Sequence, residues 1–305
     1  MDLTLSNDDT RMVTGADISL PRRPREAHKG NFGKVCILGG SVGYSGAPVL
    51  AAAAAVRTGS GLVTLLVPEP VWGVAAVKLT SAMPWPLPAG KDGTLSWEAL
   101  GPALEKLRQA DAVLIGPGLS RNGETAQVIR TLIPQLEVPL VLDADGINAL
   151  EGHINVLDSR KGLTVLTPHD GEFARMGGDL LSGDRVEAAR AFAAAHHCVL
   201  VLKGHRTVTA FPDGEAFVNT SGNPGMAKGG SGDVLAGMLL SMLGQGFPAR
   251  QAAPWGVWLH GTAGDACAGR LGEYGMTPGD MIEAIPGVMK QFEKEDPPCA
   301  RSCAH

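Results

Sequence analysis

The 305-residue chain carries 26 basic and 31 acidic side chains, a formal net charge of -5, together with 41 glycines and 21 prolines. Glycine follows no three-residue period and 44% of the residues are hydrophobic, which rules out collagen-like and largely disordered chains. The acidic balance also rules out a broad positive field for nucleic acid or an anionic membrane, so a phosphate-bearing ligand must be held by a local device. Five scattered cysteines (Cys36, Cys198, Cys267, Cys299, Cys303) fit a reduced, cytoplasmic setting better than a disulfide framework. Cys299 and Cys303 beside His305 read as a frayed end rather than a metal site. The acidic start MDLTLSNDDTR is not a signal peptide. The longest apolar runs, Val49–Val56 and Val234–Leu243, fall far short of the roughly 20 residues that span a bilayer.

In chain order, residues 1–24 read as a polar leader, residues 25–293 as one α/β domain and residues 294–305 as a flexible tail. Strands are predicted at Val35–Leu38, Leu62–Val67, Ala112–Ile115, Leu140–Leu142, Thr164–Leu166 and Val199–Leu202, from short β-branched or aliphatic runs. Helix-length segments lie between most of them, for example Ser45–Thr58, Ser96–Gln109, Gly123–Ile133 and Asp184–His196. That alternation predicts βαβ units, a mainly parallel sheet and helices on both faces. Thr207–Phe211 and Glu215–Asn219, joined by Pro212-Asp213-Gly214, break the pattern and predict a hairpin. Gly232–Leu243, Ala249–Gly269 and Thr277–Phe292 read as helices, with Trp255 and Trp258 assigned to the core in preference to an interface.

Ligands of open parallel sheets bind beyond the carboxyl ends of the strands. Five predicted strands end in unusual chemistry: GGSVGYSGA (Gly39–Ala47), GPG (Gly116–Gly118), DADGIN (Asp143–Asn148), TPHDGE (Thr167–Glu172) and KGHRT (Lys203–Thr207). The first has G-x-x-G-x-x-G spacing, not the G-x-G-x-x-G of dinucleotide-binding folds, and no Walker A loop occurs. The sharpest feature is NTSGNPGMAKGGSGDVLAGMLLSML (Asn219–Leu243), a glycine-rich turn feeding an apolar helix. Successive backbone N–H groups in Gly229, Gly230, Ser231 and Gly232 can converge on an anion, and the positive end of the helix dipole adds to them. Asp233 follows in the first turn, either as an acid favoured by the dipole or as a base for a hydroxyl attacking phosphorus. Alanine at Gly230 or Gly232 is expected to damage activity more than stability.

The ordered set AHKG (Ala27–Gly30), GGSVGYSGA, GPG, LDADGIN, TPHDGE, KGHRT and GNPGMAKGGSGD resembles that of the ADP-dependent (S)-NAD(P)H-hydrate dehydratases, over about residues 25–290. The resemblance implies a ribokinase-like three-layer α/β/α fold. It also implies repair of hydrated nicotinamide cofactor: the S epimer of NADHX or NADPHX is dehydrated at the expense of ADP, giving AMP and phosphate. It assigns Asp233 to the substrate hydroxyl as catalytic base, Ala47, Gly118 and His169 to the hydrate, and Lys203, Gly204, His205, Arg206, Thr207 and Gly232 to the nucleotide. Gly118 suits a close approach by a dinucleotide. His169 by itself reads equally well as the cap of a helix beginning near Asp170. Glu172 aligns with the acid that organises Mg²⁺, and Asp143 and Asp145 either assist it or cap a short helix. Ser231 stands where many relatives have threonine, and keeps the hydroxyl. The family further implies a homotetramer and, because the epimerase domain fused to many bacterial relatives is not seen here, reliance on a separate epimerase. Two other readings stand: a ribokinase-like kinase of a vitamin precursor, which GSGD alone would indicate, and a non-catalytic nucleotide sensor.

Overall fold

A computed structural model describes residues 10–180 and 183–294. Cys299, Cys303, His305 and nearly all of the predicted tail therefore lie outside the described residues. Ten strands form one sheet: β1 (Thr10–Val13), β2 (Lys34–Leu38), β3 (Leu62–Pro68), β4 (Met83–Leu87), β5 (Ala112–Ile115), β6 (Leu140–Leu142), β7 (Thr164–Leu166), β8 (Val199–Leu202), β9 (Val208–Ala210) and β10 (Ala216–Asn219). Their order is β1-β10-β9-β8-β7-β6-β5-β2-β3-β4. All pairs are parallel except β8/β9 and β9/β10, which carry the predicted hairpin.

Alternation along the strands divides the core into two halves. Val35, Ile37, Leu114, Val141, Val165, Val199 and Val201 face one side. Cys36, Leu38, Val113, Ile115, Leu140, Leu142, Leu166, Leu200 and Leu202 face the other. A sheet buried on both faces needs helices on both, and the result is the expected three-layer arrangement. The first face is covered by α1 (Gly46–Arg57), α8 (Ser231–Gly244), α9 (Ala249–Gly275, interrupted at Gly272) and α10 (Pro278–Lys290). The second is covered mainly by α3 (Leu100–Leu107), α4 (Gly123–Leu132), α6 (Asp170–Arg175) and α7 (Arg185–Ala195). Two further helices, α2 (Glu69–Lys78) and α5 (Asp145–Asn148), follow β3 and β6.

The central helix α8 is buried along almost its whole length, which accounts for its unbroken apolar sequence. It lies close to α1: a Cβ added at Gly237 would stand 2.2 Å from the Ala51 carbonyl oxygen.

Three elements were missed from sequence. Thr10–Val13, read as part of a leader, adds the edge strand β1 beside β10. At the opposite edge, β4 reads MPWPL, and its two prolines disguise it as loop. The segment joining β3 to β4 forms α2. The segment after β1 clasps the C-terminal segment: Leu20 N–H donates to the Phe292 carbonyl at 2.8 Å, and Lys294 N–H to the Leu20 carbonyl at 3.0 Å.

Candidate active site

Strand order reverses at β2/β5, so the loops leaving these strands part there and open the crevice where such sheets bind ligands. Ser41 Oγ donates to the Gly118 carbonyl at 2.8 Å, and Gly40 N–H to the Pro117 carbonyl at 2.8 Å. These bonds join GGSVGYSGA to GPG and bring Ala47 against Gly118. A Cβ on Gly118 would lie 3.3 Å from that of Ala47 and 2.5 Å from the Tyr44 carbonyl oxygen, at a φ of +67°. Glycine at 118 is thus required by the protein's own packing and backbone, whatever approaches from outside. Gly43, Gly46 and Gly229, by contrast, have nothing within 4 Å of an added Cβ.

The ends of β6, β7 and β8 converge on one lysine. Lys203 Nζ donates to Asp143 Oδ1 at 2.7 Å and lies 3.8 Å from Glu172 Oε2. Asp143 is 1% and Glu172 4% exposed, so these are interior charges that need partners. Thr167 Oγ1 supplies a further hydrogen bond to Asp143 Oδ1 at 2.7 Å. Burial opposes the charge on Lys203, but Asp143, Glu172 and Asp233 together outweigh it and hold its pKa above the ordinary lysine value. Asp145 is drawn away from this cluster: it accepts from Ser120 N–H at 2.8 Å and from Asn148 Nδ2 at 3.0 Å.

His169 caps α6. Its Nδ1 accepts from Gly171 N–H at 3.0 Å and Glu172 N–H at 3.3 Å, and Glu172 Oε2 accepts from His169 N–H at 2.9 Å. This is a capping box with imidazole in the usual place of a hydroxyl. The reciprocal bond also fixes Glu172 toward Lys203. The imidazole remains 55% exposed, so capping leaves a face open to a ligand.

On the other side of the crevice stands the start of α8. Gly230 adopts φ +103°, and a Cβ there would meet Leu50 Cδ1 at 2.6 Å and Pro278 Cγ at 3.0 Å. The expectation that alanine here harms activity more than stability is corrected for Gly230, because the protein itself occupies that space. At Gly232 there is more room: the nearest atom to an added Cβ is Lys203 Nζ at 3.4 Å. The glycine turn and the first residue of KGHRT thereby face each other. Within KGHRT, Lys203 N–H donates to the Pro168 carbonyl at 2.8 Å, and Thr207 Oγ1 donates to the Gly204 carbonyl at 3.0 Å. His205 and Arg206 stand exposed on the turn, Arg206 at φ +58°.

Asp233 is partly buried in the first turn of α8. Desolvation first, then the negative charge of Asp143, push its pKa up to about 7, against a smaller opposing pull from Lys203. A carboxylate at the positive end of a helix is ordinarily a weak base; here burial and like charge reverse that, giving a group that takes protons near neutrality.

Sequence reading overlooked His260, a buried residue of α9 whose Nε2 lies 2.9 Å from the Ser231 carbonyl oxygen. Its signal was a lone imidazole in a helix of small and apolar residues. Lys228 was also overlooked: its Nζ donates to the Tyr274 and Met276 carbonyls at 2.7 and 2.6 Å, so it ties the loop to the end of α9.

The NAD(P)H-hydrate dehydratase family matches residues 35–287. A bifunctional NAD(P)H-hydrate repair enzyme of Moorella thermoacetica is 46% identical over 290 residues, 93% of this chain and 55% of that one. The chain thus spans about half the length of the bifunctional relatives it matches. The ADP-dependent (S)-NAD(P)H-hydrate dehydratase of Neisseria meningitidis is 35% identical, covering 95% of this chain and 97% of the other. A crystal structure of the Bacillus subtilis ADP/ATP-dependent NAD(P)H-hydrate dehydratase, co-crystallised with ATP and Mg²⁺, superposes with a TM-score of 0.82 at 34% identity, covering 93% of this chain and 99% of that one.

Proposed function

Because this chain belongs to the NAD(P)H-hydrate dehydratase family, we propose that it dehydrates (S)-NADHX and (S)-NADPHX to NADH and NADPH, converting ADP to AMP and phosphate. The observation that carries the reading is Asp233: a carboxyl with a pKa of about 7 at the head of a glycine turn and helix N-terminus.

In this reading Asp233 takes the proton of the C6 hydroxyl as its oxygen attacks the β-phosphorus of ADP. The P–O bond to AMP breaks, and the amides of Gly229, Gly230 and Gly232 hold the transferring phosphoryl group, the Ser231 N–H being already given to the Lys228 carbonyl at 3.3 Å. The ring-nitrogen electron pair then expels phosphate, a far better leaving group than hydroxide, and the iminium ion so formed loses a C5 proton to give the dihydronicotinamide. The adenine nucleotide lies along Lys203, Gly204, His205, Arg206, Thr207 and Gly232; the hydrate contacts Ala47, Gly118 and His169. Lys203 facing Gly232 supports a nucleotide running between the two loops.

Among the described residues no group of three or more acidic, histidine or cysteine side chains forms a ready metal cage. Magnesium seldom needs one, being held by one or two carboxylates, waters and substrate phosphates. Glu172 and Asp143 fit that mode, so Mg²⁺ is the proposed companion of ADP; when bound it would neutralise charge on the phosphate oxygens.

No described helix is long and apolar enough to cross a membrane. A cytoplasmic homotetramer, linked in function to an epimerase that supplies the S epimer, completes the proposal; light scattering checks the assembly. The functional test combines protein, Mg²⁺, ADP and NADHX and follows the near-ultraviolet absorbance of reduced nicotinamide. Its return, with AMP formed in equal amount, is the expected result. No recovery with ADP or ATP, together with phosphorylation of a thiazole or hydroxymethylpyrimidine alcohol, would establish the kinase reading instead.

A further inference from the structure

Helix α9 underlies the whole loop that leads into α8. Asp265 accepts from Gly222 N–H at 2.8 Å and from Asn223 Nδ2 at 2.9 Å. Ser221 Oγ donates to the Trp258 carbonyl at 2.8 Å. Gly261 and Gly264 allow Ser221 and Met226 to settle directly on the helix, since an added Cβ would come within 2.2 Å of Ser221 Oγ and 2.3 Å of Met226 Sδ. His260 is the last of these holds, and the only one of them that reaches the glycine turn. A carbonyl can only accept, so the ring nitrogen 2.9 Å from the Ser231 oxygen carries the proton. Burial keeps the imidazole neutral, its pKa lowered to about 4, so this donor persists across the working range of pH.

The Ser231 carbonyl and the Gly232 N–H belong to one planar trans peptide unit and point in opposite directions. A hydrogen bond that fixes one end of that plane fixes the other. The N–H groups of a helix's first turn have no intrahelical partner, so the plane that carries the Gly232 N–H is held from its carbonyl end, and Gly230 immediately before, at φ +103°, adds no stiffness. We propose that His260 is a positioning residue: by gripping the Ser231 carbonyl from behind, it aims the Gly232 amide, and with it the first turn bearing Asp233, at the transferring phosphoryl group. This rests on the dehydratase reading for the identity of that group, and on the hydrogen bond alone for the geometry.

The test compares His260→Leu, which fills space without a donor, with His260→Gln, whose side-chain amide can donate from a similar reach. Aim at a transition state matters more than affinity for the ground state. His260→Leu should therefore lower kcat about 10- to 100-fold with KM for ADP changed less than about 3-fold, and His260→Gln should recover most of kcat. Amide hydrogen exchange gives a readout independent of turnover: residues 229–233 should exchange at least about tenfold faster in His260→Leu while β5 and β6 stay protected. Equal loss of kcat in both variants in proportion to their lowered Tm, or unchanged exchange at 229–233, would overturn the proposal. If His260→Leu does not fold, His260→Met, which also lacks a donor, takes its place under the same criteria. Wild-type protein inactive on hydrate, with the exchange difference present, would sink the dehydratase reading and leave the positioning role intact.

Discussion

Asp233 shows how far a single residue can be read from its surroundings. Sequence placed it beside an anion-binding turn, where the dipole argument made it a weak base. Only packing supplies the desolvation and the Asp143 charge that raise it to about 7. Two outcomes follow. The kcat of the wild type should rise with pH through about 7 and then level, as the carboxylate forms. Asp233→Asn should lower kcat by about 10²- to 10⁴-fold while ADP binds at least as tightly, since a negative charge has left the anion site; isothermal calorimetry measures the second part. Stability moves in the opposite sense. An acid whose folded pKa lies above its unfolded value of about 3.9 destabilises the fold as pH rises from about 4 to about 7, and fully above that. Asp233→Asn should therefore raise Tm at pH 8 by about 3 °C or more, a gain that disappears at pH 4. The same limit on sequence reading explains His260 and Lys203. Their types were visible, but which carbonyl or carboxylate each would meet depends on chain segments 29 and 60 residues away.

Among the elements, α8 was the most legible and the most consequential, because a glycine turn followed by an unbroken apolar run fits little besides a buried helix entered through a tight turn. The hairpin β9–β10 was legible from its Pro-Asp-Gly turn. The strand β4 was not, because proline is a poor strand former that an edge can nevertheless tolerate. Helix α2 has a proline at its start and alternating small and large apolar residues, with no clear amphipathic face to announce it. The α1–α8 contact gives a prediction of stability without chemistry. Gly237→Ala puts a methyl 2.2 Å from the Ala51 carbonyl oxygen, and should destabilise by about 1–3 kcal/mol, read as a shift in the urea midpoint. Gly230→Ala should do the same through its positive φ and Leu50. Gly232→Ala should leave the midpoint nearly unchanged and raise KM for ADP through its crowding of Lys203.

For the molecule as one body, the three-layer plan was readable because strand and helix periods alternate so regularly. What the sequence could not show was the order of strands, and with it the switch point at β2/β5 that gathers five separate motifs onto one rim. It also concealed both sheet edges. At the β4 edge Trp72, Val77, Met83 and Trp85 are exposed, and Pro84 and Pro86 lack the N–H groups another strand would need. Replacing both prolines with threonine should promote self-association at high concentration, detectable as increased light scattering, without loss of the helical signal.

The clasp between Leu20 and Phe292 is remote from the crevice. Ser19, Pro21 and Lys294 line a cavity with Gln245, the residue just beyond the far end of α8. A 14-residue helix at 1.5 Å per residue sets that end about 20 Å from the glycine turn. Leu20 and Lys294 thus meet at the far end of α8 from the glycine turn, so the hydrogen bonds that secure the periphery of the domain leave the crevice unobstructed.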